Sequence, residues 1–273
     1  KVMNINQHKG FKMLKKEYCH SASSANAFID SPAYWIITKL YDFEGPVNAR
    51  MSMGTAAEHA ANEAMSNLDM DEHKVQEVTE AKFDELTNNE FKESPEREWS
   101  VDIAMRFAQN LSEFGEVVSY QKETITDLPN LKYPVKTVTD FEFEDLIVDT
   151  KATAYLKRLK KGTLDPNWYP KAADVRQQLL YKHVRQKPTM LLYASRADHE
   201  AVDMVDRDIG MLHEIIHAMQ TIEHITSIAK SKEDVIRMFP LNMENFRWGK
   251  EADSPYKEFA KKLWIKAFDY TIK

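Results

Sequence analysis

Apolar positions change their spacing twice along the chain. Over residues 21–65 they recur at helical intervals, with Phe28, Tyr34, Trp35, Ile37 and Leu40 supplying the apolar faces. Ser24 or Ser31-Pro32 can start a helix there. Residues 66–100 are strongly acidic and poor in aliphatic side chains, which predicts a solvated helix or a loop insertion. The period then shortens to two. Val117-Val118-Ser119-Tyr120, residues 135–143 and Leu146-Ile147-Val148 are rich in β-branched and aromatic side chains and predict three strands. Pro134 and the charged pair Glu144-Asp145 mark their turns. A polar loop over 156–170, a helix over 171–186 and an apolar strand over 190–194 come next, then a long helix over 200–230. The remaining C-terminal residues read as helical, punctuated by Pro240 and Pro255. This order predicts an α/β fold, a mixed sheet wrapped by helices. It reads as one domain over 1–273, with a mainly helical part (1–115), the sheet and its following helix (116–195), and a helical C-terminal part (196–273).

Composition narrows the reading. With 273 residues, 43% of them hydrophobic, the chain can bury a sizeable core, and disorder is excluded. Seven Gly and 13 Met favour helices over a barrel of tight turns. Cys19 is alone, so one chain holds no disulfide, no Cys-rich zinc site and no Cys-ligated iron–sulfur cluster. The apolar runs are too short to span a bilayer, so no membrane partner is expected and an intracellular, cytoplasmic location is, with mitochondria left open. The net charge of −6 argues against binding nucleic acid through bulk charge. Its distribution argues otherwise. From Lys151 to Lys187 ten basic residues face only Asp165 and Asp174, a local charge of +8.

The most informative segment is Val138-Thr-Asp-Phe-Glu-Phe-Glu-Asp-Leu-Ile-Val-Asp-Thr-Lys151. In a strand, Asp149 and Lys151 share a face, and a turn at Glu144-Asp145 brings Asp140 back beside Asp149. Two carboxylates and an ammonium then converge where a hard cation such as Mg2+ can bind through oxygen. An Asp–Lys pair on an ordinary surface hairpin would look the same. The apolar run Leu146-Ile147-Val148 makes the strand look buried, and buried charges need partners or a metal.

Four segments in order carry a family resemblance: Ser21-Ala-Ser-Ser-Ala-Asn-Ala-Phe28 with Ser31-Pro-Ala-Tyr-Trp35; Gly54-Thr-Ala-Ala-Glu58-His59; Asp140 with Asp149-Thr150-Lys151; and Gln177-Gln-Leu-Leu-Tyr181. Together, over Ser21 to Ser195, they resemble the PD-(D/E)XK nucleases, specifically the RecB-like branch with its phage and mitochondrial single-strand exonucleases. The resemblance implies a restriction-endonuclease-like core with helical additions and a DNA exonuclease that needs Mg2+ or Mn2+. Metal would be held by Asp140, Asp149, the Thr150 carbonyl and either Glu58 or His59. Lys151 would be the catalytic ammonium, with Gln177 and Tyr181 positioning substrate. Ser31 stands where iron–sulfur relatives carry Cys, so no cluster is expected. Single-stranded DNA is the expected partner. Lys157, Arg158, Lys160, Lys161, Lys171 and Arg176 would line its track. Ser24 would touch a phosphate or cap a helix, and Trp168 and Tyr169 would stack on bases or pack in the core.

Other classes compete. His213-Glu214-Ile-Ile-His217 satisfies the zinc-metalloprotease pattern H-E-x-x-H, but His224 follows seven residues on and no third ligand stands in register. Ile209, Leu212, Ile216, Met219, Ile222 and Ile225 make the same helix a packing stripe. A structure-specific endonuclease could use the same core. A non-catalytic single-strand binder would not need the intact Asp140, Asp149 and Lys151.

Overall fold

The structure, a computed structural model, describes residues 14, 17–44, 47–67, 69–156, 168–204, 209–249 and 254–268. Two compact units interleave along the chain. One comprises Lys1–Pro46, Ile125–Lys136 and Leu212–Lys273, the other Val47–Thr124 and Thr137–Met211. Elements are numbered in chain order.

In the first unit a two-residue strand, β1 (His20–Ser21), pairs in parallel with Val135 and Lys136. Ser21, rather than Ser24, caps α1 (Ala22–Asp30), its hydroxyl accepting from the Ser24 amide at 3.2 Å. Ser31 caps α2 (Pro32–Trp35), with proline in the first position where its missing N–H costs nothing. Later come α7 (Ile209–Ile228), which enters this unit at Leu212, then α8 (Lys232–Arg237) and α9 (Pro255–Phe268). Glu223 of α7 is buried, yet its Oε1 accepts from the Lys132 and Tyr133 amides at 2.7 and 2.9 Å and meets His20 Nε2 at 3.0 Å. Three donors offset the cost of burying the carboxylate.

The second unit holds α3 (Ala49–Ser66), α4 (Glu72–Leu86) and α5 (Pro95–Leu111). It also holds most of β2 (Ser119–Thr126) and β3 (Val135–Glu142), then β4 (Ile147–Ala152), α6 (Ala172–Arg185), β5 (Thr189–Ala194) and β6 (His199–Asp203). The class is mixed α/β, a central mixed sheet flanked by helices. β2 pairs with β3, and β3 runs antiparallel to β4 with Phe141 opposite Val148. β4 runs parallel to β5, which requires a crossover, and α6 supplies it. β5 and β6 are antiparallel.

Alternation along these strands builds two faces. Phe141, Phe143, Val148, Leu192 and Ala194 join Ala56, Ala57, Ala60 and Ala61 of α3 and Phe83, Ile103 and Phe107 of α4 and α5 in one apolar core. The small α3 side chains let the neighbouring helices approach closely. Asp149, Leu191 and Tyr193 point to the opposite face, where α6 packs.

Two expectations change. Residues 66–100 take the helical alternative, as α4 and the start of α5, but α4 is amphipathic, with Val75, Thr79 and Phe83 buried at helical spacing and its other face solvated. Of the helix expected over 200–230, the described part is Ile209–Ile228, and residues 199–203 form β6 instead. Among the described residues no helix is long and apolar enough to cross a membrane.

Candidate active site

The β3–β4 hairpin turns through the exposed Glu144 and Asp145, closed by the Phe143 amide donating to the Leu146 carbonyl at 2.8 Å. Its register places Asp140 opposite Asp149, so both carboxylates lie on one face. Asp140 Oδ2 accepts from the Thr150 amide at 2.9 Å and the Thr150 hydroxyl at 3.4 Å. Asp149 is fully buried. Its Oδ1 accepts from Gln177 Nε2 at 2.9 Å, and its Oδ2 forms an ion pair with Lys151 Nζ. Glu58, from α3, is tied in by Gln121: the amide Nε2 donates to Glu58 Oε1 and, at 3.3 Å, to Asp140 Oδ1.

Burial pushes all three carboxyls above the ordinary range. For Asp149 the Asp140 charge adds to burial, and Lys151 opposes both. For Asp140 the Glu58 charge adds to burial. Glu58 is raised to about 7, burial outweighing the Gln121 hydrogen bond. A cluster that holds protons this firmly is one that a cation would relieve. Among the described residues no three His, Cys, Asp or Glu side chains form a ready cage for an ion, because the donors of Gln121, Gln177 and Lys151 are interleaved with the carboxylates. Mg2+ needs no cage: it retains waters and takes one or two carboxylates. Asp149 Oδ2, buried with the Lys151 ammonium as its partner, fits such a ligand, as does Asp140 across the hairpin.

The sequence-named residues fall into three groups. Asp140, Asp149, Thr150, Lys151, Gln177 and Glu58 converge. His59 is half-buried beside Glu58, and among the described residues no interaction joins it to the cluster. Tyr181 is buried, its hydroxyl accepts from the Val138 amide at 3.5 Å, and its phenol lies within electrostatic reach of Asp149, Asp140 and Lys151. Ser24 is buried in the first unit and accepts from Trp35 Nε1 at 3.0 Å, a core hydrogen bond and not a phosphate contact. Trp168 is half-buried with its edge against Tyr193, ring centroids 5.2 Å apart, whereas Tyr169 and Lys171 are exposed and Arg176 is half-buried. Lys157, Arg158, Lys160 and Lys161 lie outside the described residues. His213, Glu214 and His217 sit on exposed positions of α7. In the packing stripe of that helix, Ile215 is fully buried while Ile209 is exposed.

Sequence reading missed four contributors. Gln121 bridges Glu58 and Asp140 from a left-handed backbone (φ 48°) inside β2, a conformation that costs a non-glycine residue roughly 1 kcal/mol or more. Tyr120 hydrogen-bonds Glu58. Asp174, in the first turn of α6, accepts from the Tyr193 hydroxyl at 2.6 Å and adds negative charge near Asp149 and Lys151. None of these sits in a motif. Only the tertiary fold reveals them.

Fold and site together define a mixed α/β protein with an acidic cluster and a lysine on a central hairpin. No family model and no curated protein matches the chain. Among solved structures it is similar to a protein of Eubacterium rectale named "Putative exonuclease", at 14% identity and a TM-score of 0.54, covering 82% of this chain and 85% of that one. At that identity the likeness establishes the fold alone. The match to the structure of SSO0001, at 9% identity and a TM-score of 0.31, covers 61% of this chain and 85% of that one.

Proposed function

We propose that this chain is a Mg2+- or Mn2+-dependent deoxyribonuclease of the RecB-like PD-(D/E)XK type. It would hydrolyse phosphodiester bonds as an exonuclease at single-stranded ends, in DNA replication, recombination or repair. One observation carries the proposal: Asp140 and Asp149 lie opposite each other on an antiparallel hairpin, with Lys151 on the Asp149 face and Gln177 bonded to Asp149. The neighbour named an exonuclease supports the same reading.

Asp140 and Asp149, with Glu58 close by, would hold the cation, which when bound supplies Lewis-acid stabilisation of phosphate charge. The protein groups do the positioning. Gln177 fixes the Asp149 rotamer through Oδ1, and the Thr150 amide and hydroxyl fix Asp140. Lys151, its side chain about a quarter exposed (23%), offers an ammonium to a phosphate oxygen and offsets the charge developing at phosphorus. Gln121 keeps Glu58 and Asp140 in register.

The test uses linear single- and double-stranded DNA labelled separately at each end, with a circular control, in Mg2+ or Mn2+. Degradation of linear DNA with resistance of circles supports an exonuclease. Cleaved circles would make the same core an endonuclease. Wild type inert on all these substrates would refute the proposal.

A further inference from the structure

Beside the hairpin, within the second unit, lies a cleft of about 600 Å3 that none of the catalytic groups occupies. Its walls include Trp99, Tyr155 and Trp168, with the cations Arg50 and Lys171 and a single acid, Glu96. Arg50 stands 3.6 Å from Glu96 and neutralises it. The Trp99 face also meets the Arg196 guanidinium, 6.0 Å from the ring centroid. Tyr155 is exposed (74%).

The cleft shares two elements with the catalytic site, β4 and α3. Ala152, the residue after Lys151 on β4, forms part of its floor. The first turn of α3 forms another wall, through Arg50, Met51 and Met53. Helical rise puts Met53 about 7.5 Å along the axis from Glu58, a distance one extended nucleotide spans. Three aromatic rings and two cations in one cleft suit a planar heterocycle carrying phosphate, since every base has a π-face and its linkage carries negative charge. A paired base inside a duplex has both faces covered by its stack and cannot enter.

Resting on the nuclease reading above, we infer that this cleft is a nucleobase subsite. It holds an unpaired base one nucleotide from the scissile phosphate, and so selects single-stranded over duplex ends. Tyr155 supplies the exposed stacking face, with Trp99 beside it in the wall, and Lys171 contacts the adjoining phosphate.

The experiment compares wild type, Tyr155→Ala, Trp99→Ala and Trp99→Phe. Substrates are a single-stranded oligonucleotide and the same strand with abasic sites flanking the cleaved bond. KM and kcat are measured in Mg2+, and Kd in EDTA by fluorescence anisotropy. Tyr155 is exposed, so its truncation spares the core, and Trp99→Phe keeps a stacking ring if Trp99→Ala fails to fold. Expected are a roughly tenfold rise in KM and Kd for Tyr155→Ala, a smaller rise for Trp99→Phe, and an equal loss when wild type meets the abasic strand. Combining variant and abasic strand should add little more, because both remove the same contact. Wild type that cleaves intact and abasic strands equally well would overturn the subsite and leave the nuclease reading standing. So would variant and abasic losses that multiply. Wild type that neither cleaves nor binds DNA would overturn the nuclease reading, and the subsite with it.

Discussion

Asp149 is fully buried beside a second carboxylate, and Lys151 balances only one of those charges. The cluster of Asp140, Glu58 and Asp149 therefore titrates as a group between about 6 and about 8. Their folded-state values lie above the unfolded ones, so the native state binds more protons. Stability is greatest when they are protonated and falls as pH rises through that window. A divalent cation replaces the proton and should restore what is lost. Without metal, the melting temperature is expected to fall from pH 6 to pH 8. Mg2+ at about 100 times its Kd should raise it at pH 8 by roughly 5 °C, and less at pH 6, read by differential scanning fluorimetry. An equal rise at both values would count against these ligands. Gln121 gives a second residue-scale test. Gln121→Gly relieves the left-handed backbone yet deletes the amide that joins Glu58 to Asp140. DNA cleavage should fall at least tenfold while thermal stability holds within about 1 kcal/mol; loss of both together would make Gln121 structural.

At the scale of elements, Glu142 at the end of β3 shows how the basic stretch is spent. Burial would raise its carboxyl, but Lys187 at 3.1 Å and Arg185 at 2.7 Å hold it down to about 2. Two of the ten basic residues in 151–187 are thus internal clamps of β3 rather than part of a DNA track, and Lys151 is a third with an internal partner. The depressed value means stability that is present above the unfolded carboxyl range and lost as pH falls toward 2. Glu142→Gln should cost on the order of 3 kcal/mol at pH 7 and clearly less at pH 3, measured by urea unfolding. The hairpin was legible because β-branched residues give a two-residue period and the turn at Glu144-Asp145 sets the register that puts Asp140 beside Asp149. β6 was not: His199-Glu-Ala-Val-Asp203 has little strand propensity, buries only Val202, and is a strand because β5 pairs with it. The acidic region read as a solvated helix or a loop, and what it hid was the buried face of α4 and the start of α5. Few apolar residues sufficed there, and Arg97 joins α5 to Glu80 and Asp84 of α4.

At the scale of the whole chain, every residue of the candidate active site, from Glu58 and Gln121 to Tyr193, belongs to the second unit, although its segments are far apart in sequence. Motif spacing found the parts on β3, β4, α3 and α6. It could not find Gln121, Tyr120 or Asp174, which become neighbours of the site only when β2 pairs with β3 and α6 packs on the sheet. The net charge of −6 is compatible with DNA as substrate because the acidity is concentrated over 66–100, in α4 and α5, whereas cations gather after Lys151. The central claim is that Asp149 is part of a metal-dependent hydrolytic site. Its most direct test is the single-turnover rate of phosphodiester hydrolysis on end-labelled linear single-stranded DNA in Mg2+, comparing wild type with Asp149→Asn, which keeps the shape and removes the charge. The account predicts cleavage by wild type and a loss of at least about a thousandfold in the variant, of the size expected when a group stabilising the transition state is removed. Equal rates in a folded variant would contradict it.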